Sequence, residues 1–232
     1  MGFAVTIARR AVGLSKAYPI LGVALGAYAI ALSNIPTAFP SNPISSQGLD
    51  LATFLPFVSI ALMSLTVLLV TTPVELIFVY DKNDGVLEYL LSTGMDQMDV
   101  FKAYLKAAVL LSGSFLIIVN MVNIAVGLIL GADRFLLLVV TLLTIAVGVS
   151  TVAFVTVAMI AFSSLQKTRA GSNQPLGIAV GIIPMFPFFI IPIAFPGYAV
   201  AVGFLAAAIV ALVAAGFLLG AGRLIQRERL LP

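Results

Sequence analysis

The sequence predicts an all-α, polytopic membrane protein with six transmembrane helices and both termini in the cytoplasm. Composition is the first ground: hydrophobic residues make up 62% of the 232 and charged residues 9%, with a mean hydropathy of +1.19, whereas a soluble domain carries about 25% charged residues. The second is pattern. Long apolar runs without strand-like alternation select helices over a barrel, because lipid-exposed backbone must close its own hydrogen bonds. The third is the placement of the basic residues. In a six-span layout Arg9, Arg10, Lys16, Lys82, Lys102, Lys106, Lys167, Arg169, Arg223, Arg227 and Arg229 fall inside, and Arg134 alone falls outside, which orients the chain by the positive-inside rule.

Residues 1–17 read as an amphipathic helix on the inner leaflet. Thr6, Arg9 and Lys16 share one face and Phe3, Ile7 and Leu14 another, although Arg10 falls on the apolar stripe; an ordinary basic flank is the alternative. The first span covers 18–33 and ends in an outer loop rich in Pro, Asn and Ser that cannot continue a helix. Asp50 can cap the second span, 51–80, whose only charged residue is Glu75, close to a kink expected at Pro73. An acid in an apolar helix is a candidate for substrate contact or force transmission, unless it reaches the inner interface. After a cytoplasmic segment, 81–96, the third span runs 97–130, with Asn120 and Asn123 on one face. These amides need partners, in another helix or in a translocated substrate.

A short outer turn, Gly131–Arg134, precedes the fourth span, 135–165. A cytoplasmic loop with Lys167 and Arg169 leads to the fifth, 176–195, opened by Pro175. Pro184, Pro187, Pro192 and Pro196 break or re-enter this element, and the sixth span, 198–221, follows. Phe186, Phe188, Phe189, Phe195 and Tyr198 are placed for an outer aromatic belt, or for a gate.

Eight charged side chains lie between Asp81 and Lys106. Val86, Leu87, Leu90 and Leu91 form an apolar arc opposite Asp81, Asp84, Glu88 and Ser92, so a short surface helix is expected. Gly94 should end it, Asp96 should cap the next helix, and Met95 should staple against Val100. Such a construction suits docking on another protein; the alternative is an apolar arc lying on the membrane with a solvated acidic face.

The same stretch resembles the first cytoplasmic loop of type-2 ABC transporter permeases. The residues that carry the resemblance are the Asp81, Lys82 and Asp84 cluster, Gly85, Leu87, Glu88, the Leu90/Leu91 pair and Lys102. Val86 replaces a usual Thr, Gly94 stands where Pro is common, and Phe101 replaces a usual Gly. The basic amphipathic start, the six-span layout, the Pro-rich element before the last helix and the length are also similar. The resemblance implies that Asp81, Asp84, Gly85, Leu87, Glu88, Leu90 and Leu91 couple the chain to a cytoplasmic ATPase, with substrate exported across the plasma membrane. It further implies a second permease subunit, identical or not. ATP and Mg would be held by the partner ATPase and none by this chain, since no Gly-x-x-x-x-Gly-Lys-Ser/Thr occurs in the sequence.

The absence of His and Cys removes thiolate nucleophiles, His bases and His metal sites, and the chain is not expected to be an enzyme. Its basic residues sit at the ends of apolar runs rather than on one face, which argues against nucleic acid. Beside the permease stand two other readings. A secondary transporter driven by an ion gradient would use Pro73 and Pro184 as breaks in corresponding helices, and a scaffold subunit would transport nothing. Small-xxx-small pairs at Gly22/Gly26, Gly127/Gly131, Gly177/Gly181 and Gly216/Gly220 allow close helix approach.

Overall fold

The computed structural model describes residues 2–14, 16–38, 51–161 and 180–224. The helices are α1 (Phe3–Leu14), α2 (Ala17–Ala38), α3 (Leu51–Asn83), α4 (Val86–Ser92), α5 (Gln97–Leu130), α6 (Arg134–Ala161), α7 (Phe186–Ala194) and α8 (Ala199–Leu224), with 3₁₀ turns at Ile183–Met185 and Pro196–Tyr198. No strand occurs among the described residues. Five helices, α2, α3, α5, α6 and α8, are long and apolar enough to cross a membrane. The protein is a helical membrane protein by these measures.

α3 is the hub. It packs on α1, α2, α4, α5, α6 and α7, and 61% of its most apolar window is buried, against 17% for α8 at the rim. Small side chains permit this crowding. Gly22 of α2 meets Val70 and Thr66 of α3, Gly148 of α6 sits against Leu116 and Val67, and Gly203 of α8 lies against Phe57. Buried hydroxyls along α3 bond back into their own helix: Thr71 donates to the Val67 carbonyl at 2.8 Å and Thr72 to that of Leu68 at 2.9 Å. Back-bonding of this kind stabilises polar side chains in an apolar interior without a partner helix.

The core divides by end. One cluster joins α1, the last turns of α3, α4, the start of α5 and the ends of α6 and α8, through Ile7, Phe78, Leu87, Tyr104, Val157 and Ala221. A second joins the starts of α3, α6 and α8 to α7, through Phe57, Val140, Phe188 and Ala199. Ala199 therefore lies at the same end as the start of α6, and Ala221 at the same end as its finish. α6 and α8 run parallel.

Several boundaries differ from the sequence expectation. α2 continues to Ala38, through Pro36, whose ring removes the one backbone donor that would have met the Leu32 carbonyl. α3 continues to Asn83, since Asp81 and Lys82 are both buried and tertiary packing prolongs the helix beyond its apolar run. Pro56 and Pro73 both lie inside α3. α5 spans Gln97–Leu130 as expected and closes on Gly131 in a left-handed conformation. Ile182–Met185 interrupts the chain at Pro184, and α7 carries Pro192 within it. Phe188 departs from the belt: it is buried and stacks on Phe57 at 6.4 Å, whereas Phe186, Phe189, Phe195 and Tyr198 are exposed. Residues 39–50 with the Asp50 cap, the 162–179 segment with Lys167, Arg169 and Pro175, and the tail from 225 lie outside the described residues.

Candidate functional site

α4 and the joint beneath it form the candidate site. Seven residues are too few for a helix to stand alone, so its stability is tertiary. Leu87 and Leu91 are buried in the α1, α3 and α5 cluster, and Leu90 packs against its edge. The apolar arc thus faces protein. Outside the bilayer, burying each leucine contributes about 1.5–3 kcal/mol. Asp84, Glu88, Tyr89 and Ser92 point outward, Tyr89 at 67% exposure.

Two glycines set the angle of α4. Gly85 precedes it at φ +74° and Gly94 follows it at φ +90°, values that an L side chain adopts only with strain. At the far end the Gly94 amide donates to the Leu91 carbonyl and the Met95 amide to that of Leu90, at 3.3 and 3.2 Å. This is a Schellman closure, and Leu90 and Met95 meet the same apolar cluster. Asp96 holds the N-cap position of α5 with extended backbone, yet its side chain makes no capping bond. Met95 and Val100 belong to one cluster, as the staple requires.

Asp81 does not share the outward face of Asp84 and Glu88. It lies in α3 and is fully buried, because the helix runs past Tyr80 and turns this carboxylate toward α1 and α5. Arg10 Nη1 of α1 stands 2.9 Å from its Oδ1 and 3.2 Å from its Oδ2, and the Tyr104 hydroxyl of α5 donates to Oδ2 at 2.5 Å. Phe78 and Phe3 contact the Tyr104 ring edge-on, at 5.2 and 6.4 Å between centroids. Three helices are tied at one carboxylate, immediately before α4. The Arg10 that breaks the apolar stripe of α1 is the residue that makes this joint. The sequence marks Arg10 as out of place on the stripe but assigns it no partner, and Tyr104 carries no signal of its own; a charge set on an apolar stripe calls for a counter-charge, which here is the buried Asp81.

The remaining candidates lie elsewhere. Glu75 is buried within the bundle at the α3 level between Pro73 and Phe78. Asn123 accepts a hydrogen bond from Asn34 of α2 at 3.1 Å, while the Asn120 amide donates to the Leu116 carbonyl of its own helix at 2.9 Å. The pair therefore splits: Asn123 joins helices and Asn120 closes locally. Asn34, assigned by sequence to a loop, is the missed partner. No group of three or more His, Cys, Asp or Glu that could hold a metal occurs among the described residues.

A seven-residue helix, bounded by two glycine turns, rests on the joint of α1, α3 and α5 and shows Asp84, Glu88 and Tyr89 to solvent. No protein-family model, curated protein or solved structure matches the chain, so its reading rests on this geometry and on the residues of the Asp81–Lys102 stretch.

Proposed function

We propose that the chain is the membrane-spanning permease subunit of an ABC exporter, driven by ATPase subunits on separate chains and paired with a second permease subunit in the plasma membrane. The observation that carries the reading is α4 itself. α3 and α5, 33 and 34 residues long, each reach about 50 Å against an apolar bilayer core of about 30 Å. Their surplus length carries α4 to the cytoplasmic surface of the membrane, where Asp84 and Glu88 meet a partner and Leu87 and Leu91 pass its movement to the core. The parallel run of α6 and α8 supports six crossings, because the chain between them must return from one end of the bundle to the other. Pro73 within an unbroken α3 does not favour the broken-helix design of a secondary transporter.

Pairing with a second subunit is supported by what the small-residue pairs do. Gly22, Gly26, Gly127 and Gly181 all pack within the chain, while Gly131 at the α5 turn and Gly216 and Gly220 of α8 have open space about them. The ATP-binding and Mg-binding partner is read from the resemblance.

The test is whether the neighbouring reading frame encodes a Walker-type ATPase and, with that ATPase co-expressed, measurement of assembly and of permease-stimulated hydrolysis. Replacing Asp84 and Glu88 together by Ala removes two charge-assisted contacts, and each factor of ten corresponds to about 1.4 kcal/mol. Assembly should weaken by at least about tenfold on that scale, with the chain still folded. Unchanged assembly and unchanged hydrolysis would remove the coupling role; transport by the purified chain under a proton or sodium gradient would replace it with the secondary-transporter reading.

A further inference from the structure

Beside the Arg10–Asp81 joint, α1 and α3 enclose an open crevice of about 400 Å³ lined by Arg10, Gly13, Leu14, Ile77, Tyr80 and Asp84. We infer that it binds one phospholipid of the inner leaflet whose headgroup carries both a phosphate and a primary ammonium, the phosphoethanolamine class. Charge is the first argument. The crevice holds one cation and one anion that face a single space. Arg10 is half-exposed and engages Asp81 through Nη1, while its Nε and Nη2 also carry N–H donors suited to phosphate oxygens. Asp84 is exposed at the α3–α4 turn and accepts from an ammonium. Tyr80, with its ring exposed at 47%, adds a hydroxyl of the kind found at membrane interfaces.

The second argument is what lies along the same helix. A second concavity of about 240 Å³, almost wholly apolar, is lined by Val70 and Pro73 of α3, Pro19 and Val23 of α2, and Phe115 and Ile118 of α5, among others. Val70, Pro73, Ile77 and Tyr80 occupy positions i, i+3, i+7 and i+10 of α3, a single stripe, and Asp84 follows in the turn just beyond its end. The two concavities share no lining residue, and their order along α3, apolar first and charged beyond it, is that of a lipid's tail and headgroup. A phosphoglycerol headgroup lacks the ammonium and would leave Asp84 facing like charge. A choline headgroup has the charge but no N–H to donate.

The inference rests on the membrane placement of the chain and shares Asp84 with the proposed ATPase contact, so lipid binding is read on the purified chain with no partner present. It is tested on the purified full chain in detergent by native mass spectrometry, with phosphatidylethanolamine, phosphatidylcholine and phosphatidylglycerol of identical acyl chains. Phosphatidylethanolamine should bind about tenfold more tightly than phosphatidylglycerol, the ratio expected for one charge-assisted hydrogen bond. Asp84→Asn should erase that preference without weakening phosphatidylglycerol, and Tyr80→Phe should weaken all three. Equal binding of the three lipids, or an unchanged preference in Asp84→Asn, overturns the inference. Soluble phosphoethanolamine and inorganic phosphate serve as competitors: failure to displace the lipid at millimolar concentration supports a lipid site with a seated tail, and displacement by either assigns the crevice to a free phosphate compound instead.

Discussion

A carboxylate with no exposed surface in a membrane protein is unfavourable unless its partners hold it, and Asp81 has two: Arg10 and Tyr104. The pair is lopsided, for Asp81 is fully buried while Arg10 keeps 49% of its side-chain surface in contact with the surroundings. Removing one partner of a buried pair costs about 3–5 kcal/mol because a charge is left behind, and the exposure of Arg10 reduces this to about 2 kcal/mol for Arg10→Ala. Asp81→Asn leaves only a guanidinium that solvent or lipid headgroups can satisfy, at a cost of about 1 kcal/mol. Thermal unfolding in detergent should therefore rank wild type first, Asp81→Asn second and Arg10→Ala last, with the double variant more stable than Arg10→Ala alone. If Arg10→Ala proved as stable as Asp81→Asn, the carboxylate would not depend on Arg10 and the joint would be mere proximity. At this scale the sequence was legible in its oddity and not in its cause: Arg10 stood out on the stripe of Phe3, Ile7 and Leu14, but its partner is 71 residues away, a separation that periodicity cannot bridge. Asn34 was hidden for a related reason, since its neighbours Pro36 and Asn42 resemble a loop and its partner Asn123 is 89 residues away.

α4 was legible as an element because every signal for it is local. The leucine spacing, the flanking glycines and the acidic positions lie within 14 residues, from Asp81 to Gly94, and α5 was legible to the residue for the same reason, with Asp96 before it and Gly131 after it. The end of α3 was not, because hydropathy stops at Tyr80 while the helix follows its packing to Asn83. That difference of three residues moved Asp81 from the docking face to the interior. The glycine turns make a further expectation. Nothing lies within 4 Å of a Cβ placed at Gly94, whose φ is +90°, so substitution there costs backbone conformation alone. Gly94→Ala should destabilise the turn by about 1 kcal/mol, Gly94→Asn by less and Gly94→Val by more, since asparagine tolerates the left-handed region and β-branched residues do not. Hydrogen exchange should report opening of the 86–96 amides that is fastest in Gly94→Val, slower in Gly94→Ala and slowest of the three in Gly94→Asn, with the 115–125 amides of α5 unaffected. Equal exchange in all three variants would mean that the Leu87 and Leu91 anchors alone set the turn, and that Gly94 does not clamp it.

For the whole molecule the decisive question is how often the chain crosses. α7 has nine residues and covers about 13 Å, which is short of an apolar layer of about 30 Å, so length alone counts five spans. The proposed count of six rests on direction. The start of α8 shares a core with the starts of α3 and α6, and its end shares a core with α1 and α4; a chain that leaves α6 at the α4 end must therefore recross to reach Tyr198. The sequence contains no cysteine, so single cysteines report position against no background. Glu88→Cys and Lys102→Cys lie at the α4 end, Arg134→Cys and Tyr198→Cys at the other, and all four positions are exposed. In intact cells a membrane-impermeant maleimide should label Arg134→Cys and Tyr198→Cys, while Glu88→Cys and Lys102→Cys should react only after permeabilisation. Labelling of Glu88→Cys from outside would invert the orientation and remove α4 from the reach of any cytoplasmic ATPase. Protection of Tyr198→Cys in intact cells, with Arg134→Cys still labelled, would leave five crossings and put α8 antiparallel to the direction its contacts with α6 require.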